Sequence, residues 1–210
     1  QLGKQDNCQV TVSLSLATEQ GSVPIDWRLY LPEKWAKDRR GRKKAGVPVE
    51  VKFLTKPEIA LEQIRAAKAA GVPTGIILAD AGYGNETAFR QALSELGLEY
   101  CVGVQSSTTV WAAGRGPLPP KARQRVGRPP TRWRRCPGAT PLSVKVLAET
   151  LAARRWHTVD WREGTNAVLS SRFAALRVRA AHRDEGRSTA RQEQWLLIEW
   201  PRGEAKPTKY

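Results

Sequence analysis

Alternating apolar and polar residues near the start of the chain predict a β-hairpin over Cys8 to Pro32. Every second residue from Val10 to Leu16 is apolar, and the same alternation resumes from Ile25 to Leu31. A period of two is typical of strands with one buried face. The polar turn Gln20-Gly21-Ser22 lies between the two runs, so we expect antiparallel pairing.

The segment PEIALEQIRAAKAAG, from Pro57 to Gly71, has the spacing of a helix. Proline stands in its first turn, acids come early, bases come late, and Gly71 fits the position just after the helix. The residues expected on its buried face are Ile59, Leu61, Ile64, Ala67 and Ala70.

A strand, a helix and a second strand follow with short loops between them. The pattern predicts a short buried strand over Gly75–Leu78, a helix from about Glu86 to Leu96, and a buried strand over Leu98–Gln105. Two strands joined in this way through a helix form a parallel pair. Residues 1–105 are therefore predicted to form one mixed α/β sheet, in which the hairpin joins the parallel strands and helices flank them.

The pattern changes after Gln105. Residues 113–141 are rich in glycine, proline and arginine and predict a long exposed loop. A short helix is expected at 143–155, and strands at 156–161, 172–183 and 193–201, although helix and strand periodicities compete in the second of these. We therefore predict two regions, an α/β core over 1–105 and a basic, mostly β region over 106–210.

Charge separates the same two regions. The formal net charge is +15, with 14 basic against 12 acidic residues in 1–105 and 21 against 8 in 106–210. Of the 21 basic residues in the second half, 17 are arginines, whose planar guanidinium suits phosphate. A polyanion, and first of all nucleic acid, is the expected partner. The alternative is a solvated basic surface without a ligand.

Other compositional features narrow the class of protein. No apolar run of about 18 residues predicts a membrane span, and the polar start predicts no signal peptide. Cys8, Cys101 and Cys136 are far apart and form no CxxC pair, which favours reduced thiols in a cytoplasmic protein over disulfides or a zinc site. The chain has no methionine, so Gln1 is expected not to be a natural start and the chain to be an excised piece.

Asp80 is the first candidate for chemistry. It follows the apolar residues Ile76 to Leu78, and ligands and metals gather at the carboxyl ends of strands in open α/β sheets. Ala81 and Gly82 would leave room for a substrate backbone. Two other interpretations remain open. The acid could cap the following helix, or Asp80 to Gly84 could be the DxGxG cofactor loop of a methyltransferase, a weak motif that here lacks the acid at the end of the next strand.

The basic segment is the second candidate. Arginines with Trp111 and Trp133 nearby combine phosphate-pairing charge with stacking surface, as in a nucleic-acid groove. The alternative is a mobile basic linker. The candidate DNA-binding residues are Arg115, Lys121, Arg123, Arg125, Arg128, Arg132, Arg134 and Arg135.

Two further features leave alternatives. Most of the eight tryptophans are expected in the core or against a sheet; one could stack on an extruded base, but the pattern does not choose which. Glu199 in LLIEWP is a candidate second metal-binding carboxylate, and the favoured interpretation is instead a partner for an arginine on a neighbouring strand.

Several segments together resemble the DDE-superfamily transposases of bacterial insertion sequences, most closely the branch named for insertion sequence seven-zero-one. The segments include LGKQDNCQVTVSLSLA, AGVPVEVKFLTKPEIALEQI, GIILADAGYGNETAFRQAL and WLLIEWPRGEAKPTKY, and the resemblance spans essentially the whole chain in the same order. It implies a ribonuclease H-like core in which two aspartates and a glutamate hold two Mg²⁺ ions. It also implies cleavage and strand transfer on DNA, acting on element ends and target as a homo-oligomer.

Asp80 matches the second aspartate of that family, on the fourth core strand, and the region after Gln105 matches a β insertion that handles DNA. The first aspartate is expected upstream of this chain and the glutamate beyond Tyr210, so Glu199 does not receive that role. The resemblance thus implies a fragment of a cytoplasmic, nucleoid-associated bacterial transposase with one of three carboxylates, inactive alone. A non-catalytic, nucleic-acid-binding remnant is the alternative.

Overall fold

The computed structural model describes residues 9–120, 127, 131, 134, 138, 140–163, 168–182, 184 and 191–210. The chain divides into two units, Gln1–Val102 and Gly103–Tyr210. The described residues of both units include helices and strands. No helix within these described residues has the length and apolar character that a membrane crossing requires.

The first unit begins with the predicted hairpin, which is confirmed. Strand β1, Thr11–Ala17, pairs antiparallel with β2, Ser22–Leu29, and a register shift falls between Leu14 and Ser15. Two short helices follow, α1 at Glu33–Lys37 and α2 at Arg39–Lys44. The Asp38 side chain accepts a hydrogen bond from the Gly41 backbone N–H, so it caps α2.

Helix α3, Lys56–Ala69, is the longest helix and lies where the sequence predicts one. A capping box begins it: the Thr55 hydroxyl accepts from the Glu58 backbone N–H, and the Glu58 carboxylate accepts from the Thr55 backbone N–H. Gly71 follows its end with φ +76°, as a C′ glycine should. The predicted buried face is partly wrong, because Ala70 is exposed and Gln63 is buried. The Gln63 side chain donates to the Val12 carbonyl, so α3 contacts the hairpin through this polar side chain.

The predicted parallel pair is also confirmed. Strand β3, Ile77–Ala79, pairs in parallel with β4, Tyr100–Val102. Between them lie a one-turn helix, α4 at Ala81–Gly84, and α5 at Thr87–Glu95. Buried residues of α3 and α5, together with Leu98 after the end of α5, form the core of this unit: Leu61, Ile64, Phe89, Ala92, Leu93 and Leu98.

The single mixed sheet predicted for residues 1–105 is wrong for the described residues. The hairpin and the β3–β4 pair are separate two-stranded sheets. Leu14 from the hairpin and Ile77 from β3 instead pack against the same cluster of α3 and α5 side chains. Side-chain burial on a shared helix therefore joins the two sheets, in place of a continuous hydrogen-bonded ladder.

The two parallel strands are not buried on both faces, contrary to the prediction. Ile76 and Leu78 are 62% and 74% exposed, and Cys101, a free thiol, is exposed on β4. Ile77, Tyr100 and Val102 alternate with them and pack on the core. Because α3 and α5 cover the face that carries Ile77, the opposite face of the pair stays open.

The described residues of the second unit form one five-stranded sheet. Its elements are β5 at Thr109–Ala112, β6 at Leu142–Ser143, helix α6 at Val144–Glu149, a 3₁₀ turn at Ala153–Arg155, β7 at His157–Glu163, β8 at Val168–Ala180 and β9 at Gln194–Pro201. Strands β5 and β7 pair antiparallel with different parts of β8, β9 pairs antiparallel with β8, and β6 pairs with β5.

The strands predicted in the second half are confirmed, and the competing segment at 172–183 is a strand up to Ala180. The helix expected over 143–155 is shorter, and β5 and β6 were not expected. The sheet packs on α6 through a core that includes Val110, Val144, Leu147, Leu176 and Ile198.

Candidate active site

Asp80 lies directly after β3, at the carboxyl end of the parallel pair, where the sequence places it. Its side chain is exposed, and its Oδ1 accepts a hydrogen bond of 2.8 Å from the Gly82 backbone N–H. Asp80 is thus the N-cap of α4, which was the structural alternative for this residue. The cap engages Oδ1 and leaves Oδ2 outside that bond, so capping and metal ligation are compatible.

Gly82 lies close to the Asp80 carboxylate that caps α4. A Cβ built at Gly82 would lie 2.9 Å from Asp80 Oδ1, closer than a real Cβ approaches an oxygen. The glycine therefore leaves room for the capping carboxylate. The hydrogen bond from the Gly82 backbone N–H sets the direction of this carboxylate on the turn.

Tyr83 lies beside this carboxylate and joins it to the core. Its ring packs on Phe89, with the centroids 6.0 Å apart, and Phe89 is 1% exposed. Burial raises the pKa of the Tyr83 phenol, and the negative charge of Asp80 raises that pKa further. The phenol consequently stays protonated at neutral pH and remains a hydrogen-bond donor next to Asp80.

Arg90 is a buried residue of α5 that binds the end of the Asp80 turn. It is 7% exposed, and its guanidinium donates to the Gly84 carbonyl at the end of α4 and to the Thr87 hydroxyl, the latter at 3.4 Å. Arg90 is not among the residues that the sequence pattern predicts for the site, although its position three residues before Leu93 on α5 places it on the buried side of the helix. Arg90 thus joins the start of α5 to the turn that carries Asp80.

Replacing Arg90 with lysine should destabilise this region by about 1–3 kcal/mol, because a single ammonium cannot replace both donors of the planar guanidinium. Urea denaturation of the purified chain would measure the change. Arg65→Lys, on the exposed side of α3, is the control and should change stability by less than about 0.5 kcal/mol. Equal effects of the two substitutions would contradict the supporting role of Arg90.

As a metal ligand, Asp80 has the right chemistry but no assembled cluster around it in the described part of the chain. Mg²⁺ prefers carboxylate oxygen and is often held by one or two carboxylates together with substrate phosphates. Nowhere among the described residues do three or more His, Cys, Asp or Glu side chains come together as a metal site. The Asp80 carboxylate is of the oxygen-donor type that suits Mg²⁺.

Two of the eight predicted DNA-binding residues lie within the described structure. Arg115 is exposed beyond the end of β5. Arg134 is half-buried, forms an antiparallel bridge with Leu118, and donates from Nε to the Pro119 carbonyl at 3.1 Å. The bridge therefore joins two parts of the 113–141 segment, for which the sequence predicts a long exposed loop. The other six residues lie outside the described residues: Lys121, Arg123, Arg125, Arg128, Arg132 and Arg135.

Among the described residues, Glu199 pairs with Ser171 and Lys209 and not with an arginine, so the favoured interpretation is wrong for this part of the chain. Its carboxylate accepts from the Ser171 hydroxyl at 2.9 Å and from the Lys209 ammonium at 3.1 Å. The backbone of Glu199 also pairs with Lys209 near the end of the chain. The lysine is brought to the glutamate by this pairing, which local sequence patterns do not reveal.

The tryptophans, most of which are expected in the core or against a sheet, differ in burial within the described part of the chain. Trp111 is 2% exposed, and Trp156 and Trp200 are half-buried against each other, with ring centroids 5.2 Å apart. The remaining four described tryptophans are exposed by 45% or more: Trp27, Trp35, Trp161 and Trp195.

Comparison with known proteins gives a family for the chain. Residues 1–168 match the family model described as "DDE superfamily endonuclease", and this match includes the hairpin, α3, the Asp80 turn and the basic segment. Neither a curated protein nor a solved structure matched the chain. Endonucleases of this superfamily are nucleases and transposases that act on DNA. Since the family model matches well over half of the 210 residues, the chain belongs to the DDE superfamily endonucleases.

Proposed function

We propose that the chain is part of a bacterial insertion-sequence transposase that cuts and joins DNA with Mg²⁺. In this proposal the unit Gln1–Val102 contributes to a ribonuclease H-like catalytic core, and Asp80 is a metal ligand. The observation that carries the proposal is the exposed Asp80 carboxylate, which its own turn orients at the carboxyl end of the β3–β4 pair in a chain of a DNA-cutting family.

The residues around Asp80 prepare this carboxylate for its role. The Gly82 backbone N–H sets its direction, and Arg90 holds the end of the same turn. When bound, paired Mg²⁺ ions would stabilise the attacking and leaving oxygens of a phosphodiester displacement. The remaining carboxylates of such a site are expected from the flanking parts of the protein that the resemblance implies.

The second unit is proposed to hold DNA. Residues 103–210 carry 21 basic and 8 acidic residues, a formal charge of +13. This charge would attract the phosphates of element ends and target over a long range. Assembly of several copies on DNA, as the family resemblance implies, would bring two element ends together for the joining step.

A non-catalytic, nucleic-acid-binding remnant is the second candidate function. It is favoured by one observation. Among the described residues, Asp80 does not belong to any cluster of three or more potential metal ligands. The methyltransferase alternative loses its basis, because Asp80 to Gly84 form a capped helical turn in a DDE-family chain.

The DNA-binding part of the proposal is tested by salt dependence. The chain should bind a fluorescent DNA duplex, and its affinity should fall by roughly 10³- to 10⁵-fold between about 50 and 200 mM salt if 6–10 phosphates are contacted. A variant with four glutamines at Arg123, Arg125, Arg128 and Arg132 should reduce the slope of log affinity against log salt by about three to four units.

The matched control replaces four basic residues of α2 in the first unit, namely Arg39, Arg40, Lys43 and Lys44. This variant loses the same charge and should retain the wild-type slope. Equal losses in both variants would contradict a specific role of the 115–135 segment, and the absence of any DNA binding would contradict the proposed partner.

A further inference from the structure

One face of the β7–β8–β9 sheet is covered by the core, and the other is open. The register of β8 and β9 places Ala175 opposite Leu197 and Arg177 opposite Trp195. Side chains alternate along a strand, so these residues point away from the core residues Ala174, Leu176, Leu196 and Ile198. We call the side that carries Ala175, Arg177, Trp195 and Leu197 the outer face.

The outer face carries large exposed apolar side chains beside its charged residues, where a solvated sheet face would be polar throughout. Trp195 is 68% exposed and Leu197 is 47% exposed. On β7, Val159 and Trp161 are 43% and 45% exposed, and Val159 pairs with Ser171 on the same side of the sheet. A contiguous group of exposed apolar side chains on a protein surface is typical of an interaction site.

A cation lies against the most exposed ring of this face. The Arg177 guanidinium carbon is 5.2 Å from the centroid of the Trp195 ring, within cation–π range. Arg177 also donates from Nη2 to the Glu193 carbonyl at 2.7 Å, which fixes the direction of the side chain. The indole is therefore held next to a positive charge, and its large exposure leaves a ring face free to stack.

Two described acids of the outer face, Glu199 and Glu193, are paired with cations. Glu199 accepts from Ser171 and Lys209. The Glu193 carboxylate lies 3.9 Å from Arg177 and 3.8 Å from Arg179. Neither acid presents an uncompensated negative charge, so a phosphate backbone can approach the face without local repulsion.

A second exposed indole stands on the same face. Trp161 packs edge-on against Phe173, with ring centroids 5.7 Å apart. Phe173 and Arg177 are four residues apart on β8, a distance of about 13 Å along a strand. The small side chain of Ala175 lies between them, opposite Leu197. The outer face thus has small and apolar side chains in its middle, Ala175 and Leu197, and an exposed tryptophan towards each end.

We propose that the outer face binds an unpaired DNA strand, with Trp195 stacking on one base and Trp161 on another. Stacking needs the flat face of a base, which is covered in a duplex and free in a single strand. The net charge of +13 on residues 103–210 favours a polyanion over a second copy of this cationic chain. This inference rests on the proposed function and adds a site for unpaired strands to it.

The test compares three variants in the 210-residue chain, with fluorescently labelled oligothymidine of 20 nucleotides and a duplex as probes. Trp195→Ala should weaken binding of the single strand by about 5- to 150-fold, because loss of one aromatic platform costs that much per stacked base. Trp195→Phe should retain most of the affinity. Trp27→Ala is the matched control, since Trp27 is 66% exposed in the other unit, and it should bind like the wild type.

Single-strand affinity that stays within twofold of wild type in Trp195→Ala would overturn the proposal, as would an equal loss in Trp27→Ala. Analytical ultracentrifugation without DNA adds an independent outcome: if the wild type self-associates and only Trp195→Ala is monomeric, the face is an interface between copies and the proposal fails. Duplex binding separates this result from the proposed function, because wild-type duplex binding would persist if only the stacking site were wrong.

Discussion

Asp80→Asn is expected to lower Mg²⁺-dependent DNA cleavage by about 10²- to 10⁴-fold, since metal ions contribute several kcal/mol to such reactions and each 1.36 kcal/mol is a factor of ten. Asparagine is as good an N-cap as aspartate. The bond from the Gly82 backbone N–H can therefore persist in the variant, and only the negative charge and one metal-binding oxygen are removed. Cleavage of element-end DNA by the natural protein is the measurement.

The chain contains a matched control for this substitution. Asp38 is also an exposed aspartate that caps a short helix, α2, through a hydrogen bond of 2.9 Å from the Gly41 backbone N–H. Asp38→Asn should leave both cleavage and DNA binding unchanged. Asp80→Asn should leave DNA binding largely intact as well, which separates loss of chemistry from loss of folding. Full cleavage by Asp80→Asn would refute the metal-ligand assignment.

Phe89→Ala is expected to destabilise the first unit by about 3–5 kcal/mol, because it removes a large ring from a packed core and leaves a cavity. The ring is 1% exposed and belongs to the cluster that joins α3 and α5. Since Phe89 also packs on Tyr83, the Asp80 turn should become more mobile. Hydrogen exchange followed by mass spectrometry would localise the change to peptides of α3, α4 and α5.

Val23→Ala provides the comparison, because Val23 is 55% exposed on β2 and its truncation creates no cavity. Its effect on stability should be within about 0.5 kcal/mol. If Phe89→Ala exchanged no faster than Val23→Ala in those peptides, the packing of the Asp80 turn on the α3–α5 core would not contribute to its order.

Sequence patterns predicted the elements whose signals are local. The hairpin follows from strict alternation, and α3 follows from its apolar period, its first-turn proline and Gly71. The position of Asp80 was predicted for the same reason, because the short β3 and the following turn are adjacent in the chain.

The errors concern contacts between distant residues. The separate sheets of the first unit depend on which strands find partners, and no single strand encodes that choice. Gln63 and Arg90 are polar residues on buried helix faces, and their burial depends on the Val12 and Gly84 carbonyls that they reach. Glu199 meets Lys209 only because the end of the chain pairs with β9.

The outer face illustrates the same distinction for function. Trp195 and Arg177 are 18 positions apart in the sequence and meet because β8 and β9 pair in one particular register. A shift of that register by one residue would move Trp195 to the core side. The sequence therefore indicates a basic, tryptophan-rich region. The register of the paired strands determines which tryptophan is exposed and available for the proposed stacking.

The cap on α4 has a consequence for the denticity of Asp80 and thus for the choice of cation. Oδ1 accepts from the Gly82 backbone N–H, so Oδ2 is the carboxylate oxygen that lies outside this hydrogen bond. Ca²⁺ often takes a carboxylate through both oxygens, whereas the compact octahedral shell of Mg²⁺ is satisfied by single oxygen donors. Two-oxygen chelation at Asp80 would compete with the cap and with the start of the helical turn. In the proposed metal site, the hydrogen bond that orders one turn of helix would therefore also favour the smaller ion.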